Sequence, residues 1–205
     1  MPSPPPHQPS VFYHIYNRGT NRENVFVEER NYPYFLQLYA KHIEPVAETY
    51  AYCLLKNHFH VLVKIKADVP AKDPKGFQKP LGSGTGTASA AFSNFFNAYA
   101  KAINKAYNRT GSLFQHPFGR IQVDSQSYLL QLIRYIHHNP QKHGLVSDFR
   151  NWPYSSYHTH LANQVTRLRR ADVLDWFNTP TGFIDAHSVP LEDAAIESLS
   201  PDDFD

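Results

Sequence analysis

Cys53 is the single cysteine among 205 residues. A lone cysteine excludes an intramolecular disulfide and a cysteine-based zinc site, and it points to a reducing, cytoplasmic setting. No apolar run is long enough to cross a bilayer. Met1–Ser10 is proline-rich and lacks both a basic and an apolar region, so it does not read as a secretory signal. The chain has no Gly-x-Ser-x-Gly elbow, no His-Glu-x-x-His and no paired acidic cluster. Those absences weigh against a serine hydrolase, a zinc protease and a carboxylate two-metal nuclease. Gly82-Ser83-Gly84-Thr85-Gly86 is not a phosphate loop, since no Gly-Lys-Ser/Thr follows it. No internal repeat is present.

What is there is aromatic and unevenly charged. Aromatic residues make up 14% and hydrophobic residues 41%, enough for a substantial core, while 16 prolines imply sizeable loops. The net charge is only +2, but six of the 18 acids (Glu192, Asp193, Glu197, Asp202, Asp203 and Asp205) lie in 191–205, which holds no Lys or Arg. The remaining 12 acids face all 20 basic residues, a body of +8. A basic body with an acidic tail fits a polyanion-binding surface, although ordinary solubility charge gives the same count.

Val11–Asn17 is β-branched and aromatic and predicts a strand ended by Arg18-Gly19. Glu28–Ile43 has apolar residues at helical spacing and stops before Pro45. Thr49–Leu55 and His58–Lys66 read as two strands about a Lys56-Asn57 turn. Alternation in the second puts Phe59, Val61, Val63 and Ile65 on one face and His58, His60, Leu62 and Lys64 on the other. Residues 67–87 predict a flexible loop and Ala88–Asn108 a long helix. Leu113–Val123 predicts a strand kinked at Pro117, and Ser127–His138 a helix ended by Pro140. A short helix is expected near Ala171–Phe177. The first six elements follow the βαββαβ order of a ferredoxin-like α+β fold, with a largely antiparallel sheet and helices packed on it. The expected organisation is a disordered arm over 1–10, one domain over 11–160, an extension over 161–190 and an acidic tail over 191–205.

His58 and His60, two apart on a strand, share a face and can reach one metal ion. Taken alone, the pair equally describes polar residues on an exposed sheet. Tyr135 lies on a helix with the apolar stripe Leu129, Leu132, Ile133 and Ile136, and Asn139 follows on the same face. Half-buried packing explains the tyrosine as well, and a frayed helix end beside Pro140 explains the asparagine. Tyr128, seven residues earlier, is the rival tyrosine, and His137, His138 and His143 are further metal or phosphate candidates. Arg18, Arg22, Arg109 and Arg120 fall at loops or element ends suited to phosphate contacts. Trp152 with Tyr154 and Tyr157 could stack bases, each worth roughly 1–3 kcal/mol, or simply fill the core.

Four segments together resemble the REP-associated tyrosine transposases, within the single-tyrosine HUH (His-hydrophobic-His) group. They are Tyr13-His14-Ile15-Tyr16-Asn17-Arg18-Gly19; Tyr52-Cys53-Leu54-Leu55-Lys56-Asn57-His58-Phe59-His60-Val61-Leu62-Val63; Arg109-Thr110-Gly111-Ser112-Leu113-Phe114-Gln115; and Arg134-Tyr135-Ile136-His137-His138-Asn139-Pro140, continuing through Gly144-Leu145-Val146 to Trp152-Pro153-Tyr154-Ser155-Ser156-Tyr157. The resemblance covers about residues 11–160. It implies that His58 and His60 bind a divalent ion, magnesium or manganese, with Asn139 as third ligand. It implies that Tyr135 attacks single-stranded, hairpin-associated DNA, forms a 5′-phosphotyrosine and passes the strand to another 3′-hydroxyl. Relatives act as monomers or homodimers. Lys56 replaces a residue that is often proline in relatives, and the 67–87 loop is longer than usual. Two other classes stay open: a domesticated hairpin-binding protein that does not cut, and a metal-dependent phosphodiesterase acting on RNA.

Overall fold

A computed structural model describes residues 7–67 and 84–191. Most of the expected N-terminal arm, most of the 67–87 loop and nearly all of the acidic tail lie outside them. Four strands, β1 (Phe12–Arg18), β2 (Ala47–Leu54), β3 (His58–Ile65) and β4 (Gly119–Val123), form one antiparallel sheet in the order β2-β3-β1-β4. Each helical crossover spans a strand that lies between the two it connects. That is the split βαββαβ topology expected from the element order.

The two faces of the sheet carry different chemistry because strand side chains alternate. One face presents Ile15, Phe59, Val61 and Val63, all nearly fully buried. Helices α1 (Asn31–Ile43) and α2 (Gly84–Ala106) cover it through an aromatic cluster in which Phe35 meets Phe59, Phe95 and Tyr99. The other face presents His14, Tyr16, His58 and His60. Helix α3 (Gln126–Lys142) crosses it, burying Leu129, Leu132, Ile133 and Ile136 against the sheet.

Several boundaries move. His7 is fully buried between Tyr13 and Phe92 and bonds Ser89, so the folded body begins before Ser10. Helix α2 begins at Gly84, inside the expected loop. The strand around Pro117 is confined to Gly119–Val123. Residues before it cross β1 as a loop that touches it at the isolated Gly19–Phe114 bridge. Proline has no N–H to give a ladder, which limits that strand to the residues after it. Pro140 does not end α3, which runs on to Lys142. Asn139 Nδ2 donates to the Tyr135 carbonyl at 3.0 Å, and His143 N–H donates to the Asn139 carbonyl at 3.0 Å, so bonding resumes beyond the proline.

Beyond α3, α4 (Tyr157–Leu161), α5 (Arg170–Trp176) and α6 (Pro180–Ser188) complete the described chain. Only α5 is legible in the sequence. Residues 154–156 bond the exposed edge of β2, through Leu54 N–H to the Tyr154 carbonyl and Ser156 N–H to the Tyr52 carbonyl, both 2.9 Å. That covers an edge open to further pairing. The cluster Arg167, Arg169 and Arg170 is used internally: Arg167 pairs with Glu44 and Arg169 with Glu48 and Asp172, while Arg170 donates to the Gln164 carbonyl.

Helix α6 is tied to α3 by buried histidines. His137 and His187 ring nitrogens lie 2.8 Å apart, and His137 Nε2 is 2.7 Å from Ser156 Oγ. Burial lowers His160 to about 4 and His187 to about 3. Both are neutral when folded but take up a proton below pH 6.5 when unfolded, so stability is lost as pH falls from 6.5 toward 4. Each should cost on the order of 2 kcal/mol at pH 5. Chemical denaturation between pH 7 and 5 should show that slope, and His187→Phe should remove about one proton from it. A flat profile contradicts the assignment.

Candidate functional site

Three of the four motif segments, far apart in sequence, meet at one end of the sheet. Gly19 N–H donates to the Asn57 carbonyl at 2.8 Å, Thr20 N–H to Leu113 at 3.0 Å, and Gln115 N–H to the Arg18 carbonyl at 2.8 Å. Gly19 has to be glycine for space: a Cβ there would meet the Glu23 carbonyl oxygen at 2.0 Å. In the hairpin between β2 and β3, the Lys56 carbonyl accepts from both Val25 and Phe26 N–H at 3.0 Å. The turn therefore closes without a proline.

His58 and His60 stand on the α3 face of β3, with ring centroids 5.2 Å apart and exposures of 4% and 1%. His58 Nδ1 is 2.7 Å from Asn57 Oδ1, an oxygen that can only accept, so Nδ1 carries the proton and Nε2 keeps its lone pair. His60 Nδ1 is 2.9 Å from His14 Nε2. Such outer partners orient ligating imidazoles. Burial first, then the charges of His143, Arg18 and Lys142, hold His58 well below the ordinary histidine range. Burial and then His14, His58, His143 and Lys142 do the same for His60. Both rings are neutral at pH 7, the form that binds a metal.

Tyr135 faces this pair from α3. Its ring centroid is 5.5 Å from His60 and 6.2 Å from His14, both edge to face, and Lys142 Nζ lies 5.1 Å over the ring. The residue is 1% exposed. Asn139 is one turn further on the same helix and fully buried. With Nδ2 given to the Tyr135 carbonyl, its Oδ1 has no hydrogen-bond partner among the described residues, and neither has His58 Nε2. Leaving such atoms bare costs about 1–3 kcal/mol each, a cost that a bound group would offset. An amide oxygen and imidazole nitrogens are a donor set that a divalent cation accepts. Among the described residues no three His, Cys, Asp or Glu are arranged to hold a metal, so an ion on the histidine pair would need amide or substrate oxygen as well.

The clefts differ in scale. The one beside the histidines, lined by Tyr16, Asn17, Arg18, Gln115 and Gly119, has a volume of about 30 Å³, room for an ion and water only. Tyr135 opens instead on a second cleft of about 450 Å³ with Lys142, Gln141 and Arg150. A Cβ on Gly119 would stand 2.1 Å from the Tyr16 ring, which itself stacks on His60 at 6.0 Å. Gly119→Ala should therefore displace Tyr16, costing about 1–3 kcal/mol of stability and the ordering of the histidine cleft. Thermal unfolding and metal titration of the variant check this.

The other sequence candidates scatter. Arg18, paired with His58 across β1 and β3, lines the histidine cleft. Arg22 is exposed at φ 60°, and its carbonyl accepts from Asn57. Arg109 is paired with Glu23 at 2.6 Å. Arg120 is opposite Ile15 on the α2 face, near His7 and Ser89, so it lies across the sheet from the histidines. Trp152 is 9% exposed and donates its indole N–H to the Leu54 carbonyl at 2.9 Å, which removes it as a base-stacking platform. Tyr128 sits two turns up α3, about 10 Å along the axis from Tyr135. His14, Tyr16, Asn57 and Lys142 were not singled out from the sequence. His14 and Tyr16 share the alternating face of β1, but only the strand register sets Tyr16 directly opposite His60 and His14 one step along.

A split βαββαβ sheet with a histidine pair on one face and a tyrosine-bearing helix across it defines the class of architecture. Comparison with known proteins sharpens it. The chain is 28% identical over 114 residues to a Haemophilus influenzae protein named "Putative REP-associated tyrosine transposase", which covers 54% of this chain and 59% of that protein. The chain thus matches less than two thirds of its relative's length. A solved structure of a REP-associated tyrosine transposase bound to a REP hairpin matches with a TM-score of 0.59 over 80% of this chain and 86% of that one, at 17% identity. No family model matches. The chain is similar to REP-associated tyrosine transposases in sequence and shares their α+β fold, in agreement with the resemblance carried by the four motifs. None of the described helices is long and apolar enough to cross a membrane.

Proposed function

We propose that the chain is a REP-associated tyrosine transposase that cleaves and rejoins single-stranded DNA beside a hairpin. One observation carries the reading: Tyr135, on α3, is brought within 5.5 Å of His60 in the same chain. A nucleophile and a metal-binding pair need not come from two subunits.

Tyr135 Oη would attack the scissile phosphorus, forming an O–P bond as the P–O3′ bond breaks. The leaving 3′-oxygen ends as a hydroxyl with the proton the phenol gives up. The 5′-phosphotyrosine keeps the bond energy, so rejoining to a second 3′-hydroxyl needs no nucleotide cofactor. His58, His60 and Asn139 would hold the divalent ion, magnesium or manganese, whose chemistry is to neutralise the non-bridging phosphate oxygens. Asn57 and His14, bonded to the two imidazoles, would orient them toward the ion. Lys142, over the Tyr135 ring, offsets negative charge on the phenolate. Incubation of the full chain with hairpin-bearing single-stranded DNA and manganese should yield a covalent protein–DNA adduct. Its absence under conditions where the hairpin binds contradicts cleavage.

The second reading is a hairpin-binding protein that does not cut. The 1% exposure of Tyr135 favours it, because a strand from solvent has little access to that residue. That reading requires salt-sensitive binding with no adduct, unchanged by metal removal.

A further inference from the structure

Apart from Lys142, the cleft beside Tyr135 is not used by the chemistry described so far. It lies between α3 and the end of α6, and its walls include Lys142, Arg150, Gln141, Phe149 and Pro190. Its volume of about 450 Å³ falls within the range of small-molecule sites, whereas the histidine cleft has about 30 Å³. Lys142 and Arg150 bring basic side chains to it, and among the described residues no carboxylate lines it. Arg150 is held in place, with its guanidinium on Asp148, over the Phe149 ring at 4.6 Å and 3.2 Å from Ser188 Oγ. Arg134 donates to the Val189 carbonyl at 2.6 Å and fastens the far wall.

We infer that this cleft is the subsite for the nucleotide on the 3′ side of the cleaved bond, with Lys142 and Arg150 holding its phosphates. The inference rests on the 5′-phosphotyrosine reading and adds a strand polarity to it. The fragment joined to Tyr135 is attached through its 5′-phosphate, so its first nucleotide must lie on the side of the ring that has space. One side of Tyr135 is closed by His60 and His14, and the other opens on the cleft. A site there would also orient the covalently held fragment for joining, since charge-assisted contacts to phosphate are the strong ones.

The test needs no catalysis. Thymidylyl-thymidine carrying a 5′-phosphate is titrated into the full chain by backbone NMR, beside its isomer with a 3′-phosphate and beside inorganic phosphate. The 5′-phosphorylated dinucleotide should shift amides of 141–150 and 187–191. Lys142→Gln and Arg150→Gln should each weaken it about tenfold, with the spectra otherwise preserved. Shifts confined to Tyr16, Gln115 and Gly119, equal response to the 3′-phosphate isomer, or a response that inorganic phosphate reproduces in full overturns the subsite. Failure of adduct formation with this binding intact would instead strike the cleavage reading.

Discussion

Replacing Tyr135 with phenylalanine is expected to abolish the covalent protein–DNA adduct while the protein still folds and still binds the hairpin. The substitution keeps the ring that packs edge-on against His60 and His14 and beneath Lys142, and it removes one oxygen. The buried site loses at most a hydrogen bond, about 1 kcal/mol. The chemical step loses its nucleophile, and removal of a covalent nucleophile lowers turnover by at least about a thousandfold. Denaturing electrophoresis of protein with labelled DNA reads the adduct, and a parallel retardation assay reads binding. Retention of the adduct in Tyr135→Phe together with its loss in Tyr128→Phe would move the nucleophile two turns up α3.

The second large effect is at the histidine pair. His60→Ala should cut the rate of adduct formation by about a hundredfold or more and raise the manganese needed for half-maximal rate. It removes a proposed ligand and leaves His14 Nε2 facing a void. Because His60 is 1% exposed, the substitution also costs stability, so a control is required. Leu62, next on the same face of β3, is fully buried and lies opposite His14. Leu62→Ala should lose about 2–5 kcal/mol of stability yet keep its rate per folded molecule. Equal activity losses in both variants would reduce His60 to a packing residue.

The element order, the alternation in β3 and the apolar stripe of α3 were all readable from the chain, because each rests on a local period. The two faces of β3 could be assigned from sequence, and α1 with α2 does cover Phe59 while α3 covers His60. Register was not readable. Nothing in Tyr13–Arg18 alone says that Tyr16 lands opposite His60, so His14 and Tyr16 went unrecognised as neighbours of the pair. Pro140 misled for a related reason: the rule that proline stops a helix is local, while the bonds that carry α3 past it come from residues beyond, His143 N–H to the Asn139 carbonyl and Leu145 N–H to the Pro140 carbonyl. Trp152 and Arg120 show the converse. Both residue types suit nucleic acid, and burial against Leu54 in one case and the α2 face in the other decided their place.

The atom that carries the DNA distinguishes Tyr135 from every other nucleophile. Mass spectrometry of proteolytic fragments, taken after reaction with hairpin-bearing single-stranded DNA and manganese, should find a 5′-phosphoryl nucleotide on the peptide containing Tyr135, with fragmentation placing it on that side chain. A modification on Tyr128, or no modified peptide from protein that demonstrably bound the DNA, would contradict it.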